Sequence, residues 1–182
     1  MIRLFVAIDL PDFIREQLGI LYYGLPGAKW IEKDQLHLTI RFIGEVDGAT
    51  FKDISNTLTN ITTQAFPMHL ESIGFFPPRK TPRVLWAGTG NNPSLMHLRN
   101  KIETTLVRAG IEPEQRKFSP HITLARLKDT PIQRLGNFLA GNSLFRTEEF
   151  QVEEFHLYSS KLTSKGALHS IENTYPLSVV KQ

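Results

Sequence analysis

Two tetrapeptides carry the residue types that could do chemistry. His37-Leu38-Thr39-Ile40 and His121-Ile122-Thr123-Leu124 stand 84 positions apart, and each reads His-apolar-Thr-apolar. Each falls in a short run expected to form a strand. Side chains alternate across a strand, so the His and Thr of each motif share one face and the two apolar residues share the other. A single copy means little, because both residue types are at home in half-exposed strands. Two copies, each closing a strand before a polar turn and a helix, point to a shared working face.

The chemistry open to such a face is narrow. The chain has no cysteine, which excludes disulfides, thiolate metal sites and thiol nucleophiles. Zinc is a poor fit, since two histidines leave a ligand missing, neither motif holds a carboxylate, and Thr is not a usual ligand. No Gly-x-Ser-x-Gly elbow supports a serine hydrolase. Two imidazoles titrating near pH 6.5 can divide acid and base roles at neutral pH. Two hydroxyls beside them can donate to anionic oxygens. The combination suits in-line substitution at phosphorus without a metal or other cofactor, with a cyclic phosphodiester as the natural substrate. The spacing does not say which histidine gives the proton and which takes it.

The bulk properties agree with a globular protein of one domain or two small lobes. The chain has 182 residues, 41% hydrophobic and 21% charged, with a net charge of +3. No run approaches the roughly 18 apolar residues that span a bilayer. The N-terminal apolar run is interrupted by Asp9 too early for a secretion signal. A cytoplasmic protein with no membrane association is expected, and the mild basic excess permits an RNA or nucleotide partner without demanding one.

The elements that must position the motifs follow from periodicity. Residues 2–8 read as a buried strand. Pro11 opens a helix with Ile14, Leu18 and Leu21 on its core face. Trp30-Ile31 suggests a short strand, Lys33-Asp34 a turn, and Leu36 to Ile43 the first motif strand, closed by Gly44. A helix is expected from Asp47 to about Thr63 and a strand from Met68 to Phe76. A loop with three prolines precedes the strand Arg83 to Ala87. A third helix carries Leu95, Leu98, Ile102 and Leu106, with Gly110 as its cap. The second motif strand runs to about Leu127, and a fourth helix to near Gly141. Glu148 to Leu162 and Ala167 to Val180 form a hairpin across a polar turn at Thr163–Gly166. The shared order of strand, turn and helix after each motif predicts an internal duplication, with the His37 and His121 halves related by a pseudo-twofold axis.

The paired motifs resemble those of the two-histidine phosphoesterase superfamily. Arg3 to Pro11, Leu36 to Glu45, Arg83 to Gly88 and the Leu157-Tyr158-Ser159-Ser160 stretch look like its LigT branch, the RNA 2′,3′-cyclic phosphodiesterases also called 2′-5′ RNA ligases. The resemblance covers nearly the whole chain. It implies a bilobal α+β fold, with two antiparallel sheets and outer helices around a V-shaped cleft. It implies His37 as proton donor and His121 as proton acceptor, Thr39 and Thr123 on the phosphate, and no metal. It also implies ligand roles for Arg126 and Phe5. Simple alternation puts Arg126 opposite His121, so a bulge is needed to bring it round. The same alternation puts Arg41 on the His37 face, where it is read as solvated at the strand end. The implied reaction opens RNA ends bearing a 2′,3′-cyclic phosphate to a 2′-phosphate, with reversible 2′-5′ joining. A nucleotide-binding module without turnover is the alternative. A monomer with no obligate protein partner is expected. His69, His97, His156 and His169 lack a Thr partner and read as structural or solvated, Trp86 reads as core, and Arg79, Lys80 and Arg83 as an exposed loop or a basic lip.

Overall fold

The computed structural model describes residues 1–164 and 166–179. It is α+β, with four helices and antiparallel strands. The buried apolar run Ile2–Asp9 forms β1. Pro11, with its φ fixed near the helical value, stands just ahead of α1 (Asp12–Gly19), whose Ile14 and Leu18 are buried. Ala28–Trp30 is β2, and a 3-10 turn at Lys33–Gln35 leads into β3 (His37–Val46). The side chain of Asp47 accepts a hydrogen bond from Thr50 N at 2.7 Å and starts α2 (Gly48–Leu58). Asn92 does the same for α3 (Pro93–Arg108) through Leu95 N at 3.0 Å. All four stripe residues predicted for α3 are buried.

β4 (Phe66–Met68) and β5 (Glu71–Phe76) divide the single strand expected from Met68 to Phe76. β6 (Val84–Gly88) and β7 (His121–Leu127) follow the expected positions, as does α4 (Ile132–Gly141). The C-terminal region is β8 (Phe150–Val152), β9 (Glu154–Thr163) and β10 (Gly166–Pro176). The expected strand Glu148 to Leu162 splits because β8 leaves to pair with β4 in a small sheet of its own. The hairpin is present between β9 and β10. Its turn residue Lys165 and the Val180 end expected for its second strand lie outside the described residues. α2 stops at Leu58 rather than near Thr63, where Thr59, Asn60, Thr62 and Thr63 favour turns over helix.

One expectation is corrected by the ladder. In place of two separate sheets, hydrogen bonding runs through β10-β9-β1-β3-β7-β6-β5, with β2 also on β7, as one eight-stranded sheet. The join between its two flanks is a single pair, Leu38 with Ile122. Gly44 does not end β3. With φ at 96° it lies inside the strand beside a bulge, opposite Leu4 while Phe42 opposes Phe5.

A second bulge has greater consequence because it occurs twice. Along β3, Thr39 opposes Ala7 and Arg41 opposes Val6, so Ile40 is extra. Along β7, Thr123 opposes Trp86 and Ala125 opposes Leu85, so Leu124 is extra. An extra residue reverses the alternation beyond it. Both strands therefore show buried fourth and fifth residues and an exposed sixth: Ile40, Arg41 and Phe42, then Leu124, Ala125 and Arg126.

Candidate active site

The single pair between the flanks sits inside both motifs. Extending the antiparallel register of Leu38 and Ile122 by one residue sets His37 across from Thr123, and Thr39 across from His121. Each histidine thus faces the other motif's threonine. The two histidines are diagonal neighbours, for which regular ladder geometry gives a Cα separation of about 7–8 Å.

The imidazoles are held alike. His37 Nδ1 donates to the Gln35 carbonyl at 2.8 Å, and His121 Nδ1 donates to the Ser119 carbonyl at 2.7 Å. A carbonyl can only accept, so Nδ1 carries a proton in both and Nε2 is the working nitrogen. Thr39 and Thr123 are half-buried, and among the described residues neither hydroxyl spends itself on an internal hydrogen bond. Among the described residues no group of three or more His, Asp or Glu side chains converges as a metal site would.

The surroundings differ. The His37 ring packs on Phe5 at 5.0 Å, Tyr158 at 5.9 Å and His169 at 5.2 Å. Burial pushes its pKa down to about 4, against the opposing pull of the Gln35 hydrogen bond, with His169 and His121 lowering it further. His37 is therefore neutral at pH 7. His121 has Phe76 edge-on at 5.0 Å, and its carbonyl bond is exposed.

Arg126 comes to the His121 and Thr123 face through the β7 bulge, which supplies the reversal that its distance from the motif required. Arg41 does not reach the front. The matching bulge in β3 turns it to the back, 6% exposed, where Nε meets Glu103 of α3 at 2.5 Å and the guanidinium also donates to the Phe42 and Glu112 carbonyls. Phe5 lies in the site wall yet is only 3% exposed, beneath His37, Tyr158 (stacked at 5.1 Å), His169 and Phe42. The open ring is Phe42, 55% exposed and 5.9 Å from Phe5.

Sequence reasoning passed over Phe42 and read Trp86 as core and His169 as structural or solvated, and the structure places all three beside the motifs. Trp86 is cross-strand from Thr123 and half-exposed. Its ring occupies the space that a side chain at Gly74 would take, since a Cβ there would lie 2.2 Å from it. Only glycine leaves that floor open. His169 arrives from β10. Its N–H donates to Gln35 Oε1 at 3.1 Å, so Gln35 binds His169 with its side chain and His37 with its backbone. Burial and the Arg126 charge both lower its pKa, which keeps it neutral. The signal that could have found Phe42 was the repeated motif itself, because it occupies the slot of Arg126.

The remaining histidines are structural or peripheral. His156 is buried, bonded to Thr174 Oγ1 at 2.9 Å and edge-on to Tyr158. His69 pairs with Glu71 at 3.3 Å.

The family model "LigT like Phosphoesterase" matches residues 8–86 and 90–169, and each stretch holds one motif. The chain belongs to the LigT-like phosphoesterase family. The RNA 2′,3′-cyclic phosphodiesterase of Methanocaldococcus jannaschii is 33% identical over 172 residues, covering 93% of this chain and 97% of that protein. The enzyme of the same name from Thermotoga maritima is 31% identical, covering 93% and 92%. Among solved structures, Escherichia coli LigT complexed with 3′-AMP superposes with a TM-score of 0.78 at 27% identity, covering 97% of this chain and 98% of that one. No helix among the described residues is long and apolar enough to cross a membrane.

Proposed function

We propose that the chain is a hydrolase that opens 2′,3′-cyclic phosphate ends of RNA to a 2′-phosphate, with His37 and His121 as the acid and base. The observation that carries this is the doubled geometry: two imidazoles fixed through Nδ1 on carbonyls, two free Nε2 atoms, and two unspent Thr hydroxyls on one face. The printed names of the relatives support it.

In this reading the cyclic phosphate sits between the motifs. Thr39 and Thr123 donate to its nonbridging oxygens, and Arg126 offsets its charge. His121, on the more exposed side, takes a proton from water as the water attacks phosphorus. His37, walled by rings, gives its proton to the departing ribose oxygen. That step needs a protonated His37, and burial among the rings holds it neutral. The bound phosphodiester anion favours the imidazolium and raises the pKa, so substrate itself loads the acid. Phe42 stacks the terminal base, and Phe5 supports His37 from below. The scheme needs no metal. A 5′-hydroxyl attacking phosphorus in place of water, with the same ribose oxygen leaving, gives 2′-5′ joining by the same residues.

We read the halves as one duplicated unit forming a two-lobed domain around a central cleft. The two matched stretches of the family model and the repeated bulge support that reading. The test is incubation with a nucleoside 2′,3′-cyclic phosphate in the presence of a chelator. Ring opening to the 2′-phosphate is expected. Absence of product at high protein concentration sinks the enzyme and leaves a nucleotide-binding module. Loss of turnover on adding chelator sinks the metal-free scheme.

A further inference from the structure

β2 sets Lys29 directly across from Arg126 of β7. Residues opposite one another in an antiparallel pair share a face, with Cβ atoms about 4.5–5.5 Å apart. Both side chains are exposed, while the next pair, Trp30 and Ala125, turns to the core, with Trp30 stacked on Tyr22 at 4.6 Å. Two cations face to face across a ladder are destabilising. Here nothing relieves them: among the described residues neither Lys29 nor Arg126 has a carboxylate partner. The exposed Lys128, two residues beyond Arg126, adds to the same sign; Glu32 stands three residues past Lys29 and Asp129 three past Arg126, and among the described residues neither forms an ion pair with either cation.

The backbone under Lys29 is firmly set. Lys128 N donates to Gly27 O at 3.0 Å on one side, and Ile31 N donates to Leu124 O at 2.9 Å on the other. Gly27, with φ at 77°, packs so closely that a Cβ there would lie 2.1 Å from the Lys128 carbonyl. A three-residue strand pinned this tightly holds one cation beside another, at the margin of the catalytic face.

We propose that Lys29, set beside the Arg126 that serves the cyclic phosphate, forms a second anion subsite that takes the phosphodiester next to the cyclic end, so that the site is built for a polyribonucleotide terminus over a free nucleotide. This rests on the reading of the central site as a cyclic phosphodiesterase. A mononucleotide has one phosphate, which the motif residues engage, and leaves Lys29 with nothing to hold. An oligonucleotide brings a second negative charge, which removes the like-charge repulsion between Lys29 and Arg126. The sequence of the RNA does not enter, since phosphate contacts carry no base information.

The test compares a nucleoside 2′,3′-cyclic phosphate with a short oligoribonucleotide bearing the same end, using wild type, Lys29→Ala, Lys29→Glu and, as a remote control on α2, Lys52→Ala. Lys29→Ala should raise KM for the oligonucleotide about fivefold more than for the mononucleotide, an exposed ion pair's worth. Lys29→Glu should widen that gap, and Lys52→Ala should leave both substrates unchanged. The salt dependence of log KM for the oligonucleotide should flatten by about 0.7 in Lys29→Ala, one phosphate contact on a single strand. Equal effects on the two substrates, or none on the oligonucleotide, overturn the proposal. If wild type opens neither substrate, the catalytic reading fails by itself. Lys29 is then tested by fluorescence anisotropy of a 3′-phosphorylated oligonucleotide against a mononucleotide competitor, with the same preference expected and its absence decisive.

Discussion

The two flanks of the site share a backbone and differ in what they clothe it with. On β3 and on β7 the order is His, buried residue, Thr, two buried residues, then one exposed residue. That last slot is an aromatic ring, Phe42, on one side and a guanidinium, Arg126, on the other. The residue opposite the threonine is Ala7 on one side and Trp86 on the other. One imidazole is half-buried among rings with its pKa held at about 4, and the other stands where solvent reaches its anchoring bond. The repeated frame gives two matching hydrogen-bonding stations. The unlike side chains give the pair a direction that two identical halves would lack.

The largest effect expected is on the stations themselves. His37→Ala and His121→Ala should each cost at least ~10² in kcat, because each removes a general acid or base. A near-wild-type rate for either single variant, in steady-state assays with a 2′,3′-cyclic substrate, would break the scheme. Next comes the cationic slot. Arg126→Ala should lower kcat/KM by about 30-fold, in the range of a charge-assisted hydrogen bond. The aromatic slot should cost less: Phe42→Ala should raise KM about tenfold for a nucleoside cyclic phosphate, by loss of one stacking contact. The same variant should leave a ribose cyclic phosphate lacking a base almost unaffected. If the two slot variants instead respond alike to removal of the base, the asymmetry has no bearing on orientation.

The smallest effect concerns stability. His37 titrates near 4 when folded and near 6.5 when unfolded, so below pH 6.5 the unfolded chain binds a proton that the folded chain refuses. Stability from this residue is fully present above about pH 6.5 and falls as the pH drops toward 4. Below 4 it changes no further. His37→Gln should therefore show a smaller fall in Tm between pH 7 and pH 5 than wild type. Equal falls in thermal melts would mean that His37 is not buried as described.

Much of this region's local structure is legible in the amino-acid sequence. The motif residues, the helix stripe of Leu95 to Leu106 and the hairpin at the end follow from local periodicity, which needs no knowledge of partners. What escaped depends on partners. The bulges at Ile40 and Leu124 exist only relative to β1 and β6, so alternation counted along one strand sent Arg41 to the front and left Phe42 unnoticed. Arg126 enters only through the family resemblance, because alternation along the strand alone puts it opposite His121. His169 reaches His37 through the register of a hairpin more than 100 residues away, and no local pattern marks it. The merging of the two flanks into one sheet rests on a single residue pair, too small a feature to leave a trace in hydrophobic pattern.

That single pair has a mechanical meaning. Leu38 and Ile122 are immediate neighbours of His37, Thr39, His121 and Thr123, whereas Phe42 and Arg126 stand further out along their strands. Motion of one flank against the other about this pair has a short lever arm at the imidazoles and a long one at the ring and the guanidinium. Such a pivot would change the spacing of the two imidazoles less than that of Phe42 and Arg126. Under the proposed function, ends of different bulk would then be gripped between that ring and that guanidinium with the two imidazoles left in place.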